Sequence, residues 1–148
     1  MTREPIYAAL FSLLNTSLAN AGFVTTSRKL QHWADVDASE QPCLFMKQKS
    51  EVAKTTRGQP TLWTLAVELY IYVNTQQQNN PSIVPTQLLN PLLDAVVAAL
   101  PPDNLSDYAL TLGGLVSHCR IDGVIETSEG NLGDQEVAII PISILVAS

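Results

Sequence analysis

The segment Leu62–Val73 constrains the fold more than any other part of this 148-residue chain. Apolar side chains occupy alternate positions along it, and alternate side chains of an extended strand point to the same face. The segment is therefore predicted to be a β-strand with one face in the core. Its second face carries Tyr70 and Tyr72, which are typical either of ordinary amphipathic strand surface or of a contact surface. The core face is predicted to carry Trp63, Leu65, Val67, Leu69, Ile71 and Val73.

Two segments have the spacing of amphipathic helices. From Pro5 to about Asn20, apolar side chains recur at intervals of three and four residues, and Gly22 is suited to end the helix. A second helix is predicted to begin at about Asn90-Pro91, or one turn earlier, and to end before Pro101. Its apolar stripe is predicted to consist of Leu92, Leu93, Val96, Val97 and Leu100.

The remaining β-rich segments complete a sheet. Leu115–Thr127 and Glu136–Val146 are predicted to form a hairpin, joined by the turn-forming stretch SEGNLGD at 128–134. A shorter apolar stretch, Cys43–Gln48, is suited to pair in the same sheet. The order helix, strands, helix, hairpin predicts an α+β fold, with a mainly antiparallel β-sheet and two amphipathic helices packed on one face.

Length and local composition indicate the domain organisation. A chain of this length fits a single domain over residues 1–148. A mobile polar loop is predicted at about 47–61, because this segment has too little apolar surface to offset the entropy lost on ordering. The segment 74–85 is rich in Gln, Asn and Pro, and it is also predicted to be a loop.

Charge is distributed unevenly along the chain. Residues 1–60 hold seven basic and five acidic residues, a net charge of +2, whereas residues 61–148 hold one basic and nine acidic residues, a net charge of -8. This asymmetry suits head-to-tail contact between copies of the chain, although uneven surface charge without such a role is the alternative. An acidic total disfavours tight binding of nucleic acid, which depends on clustered Lys and Arg.

The sequence carries no recognisable motif of enzyme chemistry. Cys43 and Cys119 have no metal-ligand spacing and are expected to be buried thiols. Neither a phosphate-binding glycine loop nor a GxSxG motif is present. We therefore expect a protein that is not an enzyme and that has no cofactor or metal. The longest apolar run is shorter than the roughly 18 residues of a membrane span, so a soluble chain that does not enter a membrane is expected.

One segment mixes basic and aromatic character. Arg28, Lys29, His32 and Trp33 lie close together in the sequence. Such a mixture is compatible with nucleic-acid binding, but Trp beside Arg is equally typical of protein interfaces, and the acidic total favours protein contact.

A second candidate group lies in the predicted hairpin. His118, Arg120 and Asp122 alternate along the segment, so they are predicted to share one face of a strand. A solvated or interface-facing row is the favoured interpretation, and an acid/base site is the alternative.

Four blocks of the sequence carry a resemblance to a known family. FVTTSRKLQHWADV at 23–36, LWTLAVELYIYV at 62–73, LNPLLDAV at 89–96 and TLGGLVSHCRIDGVIETSEGNLGDQEVAIIPISILV at 111–146 resemble the small minor tail proteins of siphophages and prophages. The resemblance extends from about Pro5 to Val146 and lies in the order and spacing of these blocks. Among such proteins, the chain is most similar to the tail terminators, also called tail completion proteins.

This resemblance implies a structural role in a virion. Tail terminators form a ring, typically of six subunits, which caps the head-proximal end of the tail tube, ends tube polymerisation and provides the head-joining surface. The implied partners are further copies of the chain, the tail tube protein and a head-tail connector protein. The implied location is the virion tail, after assembly in the host cytoplasm. DNA would pass through the ring lumen, which we expect to be acidic, without specific binding.

Two alternatives remain at this point. The first is a head-tail connector or neck protein, and the second is a small-molecule enzyme or binding module that uses His118, Arg120 and Asp122. The residues predicted to contact other subunits or partners are basic or aromatic: Arg28, Lys29, His32, Trp33, Lys47, Lys49, Lys54, Arg57, Tyr70, Tyr72, His118 and Arg120.

Overall fold

A six-stranded, mostly antiparallel sheet forms the centre of the fold in a computed structural model that describes residues 1–75, 86–128 and 135–148. Its strands are β1 (Thr25–Ser27), β2 (Cys43–Lys54), β3 (Leu62–Asn74), β4 (His118–Ile121), β5 (Glu126–Ser128) and β6 (Gln135–Ala147). The strand order is β1-β2-β3-β6-β4, and β5 pairs with β6 as well. Only the β1–β2 pair is parallel among the pairs of this sheet. With helices α1 (Arg3–Ser17) and α2 (Thr86–Ala98), this arrangement confirms the predicted α+β class.

Strand β3 has the alternation that the sequence predicts. Leu65, Leu69 and Ile71 are fully buried on its first face, and β6 pairs with it from Leu62 to Asn74. The neighbouring β6 contains Pro141, which lies between the segment paired with β5 and the segment paired with β4. The missing N–H of this proline therefore removes no hydrogen bond to either short strand.

One large buried cluster contains side chains from both helices and from the sheet. Its members from α1 and α2 include Ile6, Leu10, Leu14, Leu89 and Val96. The members from the sheet come from four strands: Leu44 and Met46 of β2, Leu65, Val67, Leu69, Ile71 and Val73 of β3, Cys119 of β4, and Ala138, Ile140, Ile142, Ile144 and Val146 of β6. Burial of this apolar surface is the main stabilising contribution to the fold.

The second helix starts one turn before Asn90-Pro91, which is the earlier of the two predicted starts. Its first described residue in helical conformation is Thr86, and Pro91 lies inside the helix. One member of the predicted stripe is wrong, because the side chain of Val97 is 55% exposed. The buried positions of α2 are Leu89, Leu92 and Val96.

The predicted strand Leu115–Thr127 is two short strands, β4 and β5, separated by Asp122–Ile125. Gly123 explains the break, because it has a φ of +125° and a Cβ added there would lie 3.1 Å from Cγ of Pro141. Only a glycine fits this conformation without strain. The predicted turn at 128–134 lies outside the described residues except for Ser128, and the predicted loop at 74–85 does so from residue 76 onward.

The prediction of a loop at about 47–61 is wrong for Lys47–Lys54. These residues extend β2 beyond the core, and they pair with β3 between Leu62 and Glu68. The register shifts between Gln48 and Ser50, which indicates a β-bulge at Lys49. Hydrogen bonds to an apolar neighbouring strand order this segment, although its own side chains are mostly exposed. The connection between β2 and β3 is limited to residues 55–61.

A buried tyrosine links α1 to the polar half of β2. The hydroxyl of Tyr7 donates a hydrogen bond of 3.0 Å to Glu51, and its side chain is only 1% exposed. The guanidinium of Arg3 pairs with the same carboxylate at 2.7 Å and lies over the ring of Trp63. Hydrogen bonding from Arg3 lowers the pKa of Glu51, and burial together with Glu51 raises the pKa of Tyr7 to about 12.

Replacing Tyr7 with phenylalanine is expected to lower the free energy of unfolding by about 1–2 kcal/mol, because a hydrogen bond to a charged group is lost while the ring remains. Equilibrium urea denaturation measures this change. The control is Tyr108→Phe, whose side chain is 80% exposed, and it is expected to change stability by less than about 0.5 kcal/mol. Equal stabilities of the two variants would contradict a stabilising contact between Tyr7 and Glu51.

Candidate protein-interaction surface

A second, smaller apolar cluster lies on the face of the sheet opposite the large cluster. Strand register places Cys43, Phe45, Tyr72 and Val137 on this second face, and all four are buried together with Val36. Leu30, Trp33, Tyr70 and Ile139 pack against them and are only partly buried. The second face therefore has a small core of its own with an apolar rim open to solvent.

These partly buried side chains line a groove of about 480 Å³. We call it the aromatic groove, and its lining residues are Leu30, Gln31, His32, Trp33, Tyr70, Tyr72, Ser128, Val137 and Ile139. Four of the predicted interface residues meet there, namely His32, Trp33, Tyr70 and Tyr72. The groove residues of β3 and β6 lie far apart in the sequence, and the pairing of these two strands brings them together. Val137 lies opposite Tyr72, and Ile139 lies opposite Tyr70.

One hydrogen bond joins the segment 30–33 to the sheet, and a second orders the segment itself. The hydroxyl of Tyr72 donates to the backbone oxygen of Gln31 at 2.8 Å, and Nδ1 of His32 accepts from the backbone N–H of Ala34 at 3.2 Å. The second bond caps the short 3₁₀ helix Trp33–Asp35. The walls of the groove are thus fixed by contacts within the chain.

The chemistry of the groove suits an apolar side chain. Both tyrosine hydroxyls are already engaged, since Tyr72 binds Gln31 and Tyr70 donates to Glu68 at 3.3 Å. Burial raises the pKa of Tyr72 to about 12, and burial and the Glu68 carboxylate raise the pKa of Tyr70. The phenols are therefore neutral at physiological pH. Large aromatic side chains with satisfied polar ends are typical anchors of protein interfaces.

The predicted basic residues do not form one cluster. Arg28 pairs with Glu4 and donates to Gln48 at 3.4 Å, and this pairing lowers the pKa of Glu4. Lys49 lies 3.7 Å from Glu68. The remaining predicted basic residues of this half of the chain are exposed: Lys29 at the end of β1, Lys47 and Lys54 on β2, and Arg57 in the β2–β3 connection.

The second predicted group is only partly assembled. His118 and Arg120 lie on one side of β4, opposite Leu145 and Ser143 of β6. Arg120 pairs with Asp122 at 3.3 Å, and both side chains are more than half exposed. Among the described residues, Nδ1 of His118 is buried and has no hydrogen-bond partner. The exposed Arg120–Asp122 pair does not enclose a pocket with His118.

Some residues of this surface carry no signal that sequence analysis recognises. Val137 and Ile139 lie in a strand that is apolar at nearly every position, so periodicity does not separate its core face from its groove face. Elsewhere on the molecule, Leu105 and Tyr108 lie in a segment without regular structure. Each is 80% exposed, although both side chains are large and apolar in character. Tyr108 has a φ of +50°, an unusual conformation for a residue with a side chain.

Within the described residues, no three His, Cys, Asp or Glu side chains are grouped closely enough to hold a metal ion. The same part of the chain contains no helix with the length and apolar character needed to cross a membrane.

Comparison with known proteins informs the fold alone. No family model matches the chain, and no curated protein does. Matches do occur among solved structures, where 26 chains are similar. One of these has a TM-score of 0.55 over 97% of this chain and 96% of its own length, at 12% sequence identity. The architecture described above is thus shared with a protein of very different sequence.

Proposed function

We propose that this chain is a structural subunit of a phage tail, a terminator that forms a ring on the head-proximal end of the tail tube. In this role it ends tube polymerisation, provides the surface for the head-tail connector and catalyses no reaction. The resemblance of the blocks between Pro5 and Val146 suggests this class. The structural observation that supports this proposal is the aromatic groove, because it is an open apolar surface suited to binding protein.

We further propose that both helices pack on the first face of the sheet. The large buried cluster supports this arrangement, because it contains side chains of α1 and α2 together with one alternating set from β2, β3 and β6. The part of the second face that the segment 30–36 does not cover would then remain free for partners. Partial exposure of Thr64, Ala66 and Ser143 along that face is consistent with such a role.

A closed ring requires a heterologous contact, in which one surface of a copy meets a different surface of the next. The charge difference between residues 1–60 and 61–148 favours such a contact. We propose that acidic side chains of the second part line the lumen, so that DNA passes without sticking. The virion tail, after assembly in the host cytoplasm, is the corresponding location.

The test of the proposed function is termination of tube growth. Purified chain is added to growing tubes of tail tube protein, and tube length and end structure are measured by electron microscopy. A terminator is expected to stop elongation and to appear as a ring at one tube end, with a mass of about 97 kDa if six copies of 16.1 kDa assemble. Binding to the connector without any effect on tubes would instead indicate a neck protein. Binding to neither would contradict both structural roles.

The basic end of the β2–β3 hairpin is expected to contribute to this activity. Replacing Lys49, Lys54 and Arg57 with alanine removes three exposed charges, so tube capping should weaken severalfold while stability changes by less than about 0.5 kcal/mol per site. The matched control replaces Thr55, Thr56 and Gln59, which lie in the same hairpin end and carry no charge. Equal capping by the two triple variants would exclude a role for these charges.

A further inference from the structure

A short loop after α2 presents two large apolar side chains to solvent. This loop, residues 103–109, is called the Tyr108 loop below, and its Leu105 and Tyr108 are each 80% exposed. Single exposed apolar residues are common, but two side chains of this size only three residues apart form a compact apolar projection. The acidic residue Asp107 lies between them in the sequence.

The Tyr108 loop is held in place by hydrogen bonds at its base. Asn104 and Ala109 exchange backbone hydrogen bonds of 2.9 and 3.0 Å, and the N–H of Asp107 donates to the Asn104 side chain at 3.2 Å. One oxygen of Asp103 accepts from the backbone N–H of Thr111 at 2.7 Å, and its other oxygen accepts from the N–H of Gly113 at 3.0 Å. These bonds lower the pKa of Asp103, so its carboxylate stays charged and keeps the loop anchored at neutral pH.

Within this anchored loop, Tyr108 adopts a left-handed backbone conformation with a φ of +50°. Such a conformation is unfavourable for a tyrosine and persists only where surrounding contacts impose it. The hydrogen bonds at the base of the loop impose this backbone conformation on Tyr108, whose side chain is exposed to solvent. Because the loop backbone is already ordered, binding through Tyr108 costs only the freedom of its side chain, which favours an interface anchor.

The aromatic groove is complementary to the Tyr108 loop. The groove offers apolar walls and about 480 Å³, enough for one or two large side chains. Lys29 is exposed and lies next to Leu30 of the groove, and the Glu68 carboxylate beside Tyr70 is paired with Lys49. The loop, by contrast, carries Asp103 and Asp107. Arg120, the one basic residue in the sequence after residue 60, is paired with Asp122.

The two surfaces belong to different parts of the molecule. The Tyr108 loop leads into Leu110, whose backbone oxygen accepts from the N–H of Cys119 on β4, and Tyr108 lines a hollow with Arg120 and Val97. The groove, by contrast, is built on β3 and β6 at Tyr70 and Tyr72. A contact between loop and groove therefore joins two copies through unlike surfaces, as a heterologous interface requires.

We propose that Leu105 and Tyr108 of one copy insert into the aromatic groove of a second copy, with Asp107 beside Lys29 and His32 of that copy. This contact rests on the proposed function insofar as it assigns the subunit interface of the ring. It predicts which surfaces meet, whatever the number of subunits that closes the ring.

Disulfide trapping tests the contact. A Ser106→Cys copy, which keeps Leu105 and Tyr108, is mixed with a Gln31→Cys copy under mild oxidation. Gln31 lines the groove, and its backbone oxygen accepts the hydrogen bond from Tyr72. Crosslinking requires Cα atoms within about 7 Å, so the mixed dimer reports this contact directly. The native Cys43 and Cys119 are 0% and 3% exposed and do not compete. The control pair is Ser106→Cys with Val52→Cys, because Val52 is 61% exposed and lies on β2 outside the groove lining.

The mixed dimer is expected to form in severalfold higher yield with Gln31→Cys than with Val52→Cys. Tyr108→Ala, introduced alone into the natural sequence, is expected to reduce self-association severalfold in light scattering across a concentration series. Equal yields from the two cysteine pairs would overturn the proposed contact. If tubes are still capped in that case, the proposed function stands and only this interface is wrong. Selective crosslinking without tube capping would support the contact and count against a terminator.

Discussion

Replacing Phe45 with alanine is expected to lower the free energy of unfolding by about 3–5 kcal/mol. Phe45 is 1% exposed and lies at the centre of the smaller cluster, with its ring centroid 5.6 Å from that of Tyr72. Truncation removes buried apolar surface and leaves a cavity beneath the aromatic groove. Equilibrium urea denaturation measures the change, with unfolding followed by the fluorescence of Trp33 and Trp63.

The matched control for this substitution is Leu105→Ala. Leu105 is 80% exposed, so its truncation is expected to change stability by less than about 0.5 kcal/mol. If the two variants were equally stable, the smaller cluster would not be a true core and the groove would lack a rigid floor. A large loss for Phe45→Ala would instead mean that β3 and β6 are covered by apolar contacts on both faces near Tyr72.

The elements that sequence analysis identified are those with strong periodicity. The sequence of Leu62–Val73 indicates a strand because every side chain on one face is apolar, whereas Thr64 and Glu68 interrupt the other face. The first helix was readable for the same reason at a helical period. In both cases the local pattern of apolar residues matches the face that the folded chain buries. The element can therefore be predicted without knowing which segments pack against it.

The errors occur where distant segments decide the structure. Lys47–Lys54 has the composition of a loop, yet it is a strand because its backbone pairs with Leu62–Glu68. The break between β4 and β5 depends on the close approach of Gly123 to Pro141. Neither contact is visible in a local window of sequence, since both depend on the register between strands.

The candidate surface was predictable in part. The chemistry of His32, Trp33, Tyr70 and Tyr72 predicts interface residues, and the structure brings these four to one groove. The predicted basic residues, however, are distributed over separate sites, because composition does not indicate which charges are already paired within the chain. Arg28 illustrates this point, since its guanidinium is bound to Glu4.

The two buried thiols make stability sensitive to alkaline pH. Burial raises the pKa of Cys43 and that of Cys119 from 9.0 to about 12 in the folded state. The unfolded chain therefore loses these protons first as the pH rises. The stabilisation is complete below about pH 8, decreases as the pH rises past 9 and is lost by about pH 12.

The free energy of unfolding is accordingly expected to fall by about 3 kcal/mol between about pH 8 and pH 10, roughly 1.4 kcal/mol for each thiol. Tyr7 and Tyr72 add a smaller fall in the same range, because burial raises the pKa of each from 10.0 to about 12. Urea denaturation at closely spaced pH values measures this fall. In Cys119→Ala the fall in the free energy of unfolding should be about half as large. The cavity left by the substitution lowers stability equally at each pH, so it does not change the size of this fall. Cys43→Ala should behave in the same way. A fall unchanged in both variants would show that other groups cause the alkaline sensitivity. The pKa of each thiol would then have to be the same in the folded and the unfolded chain.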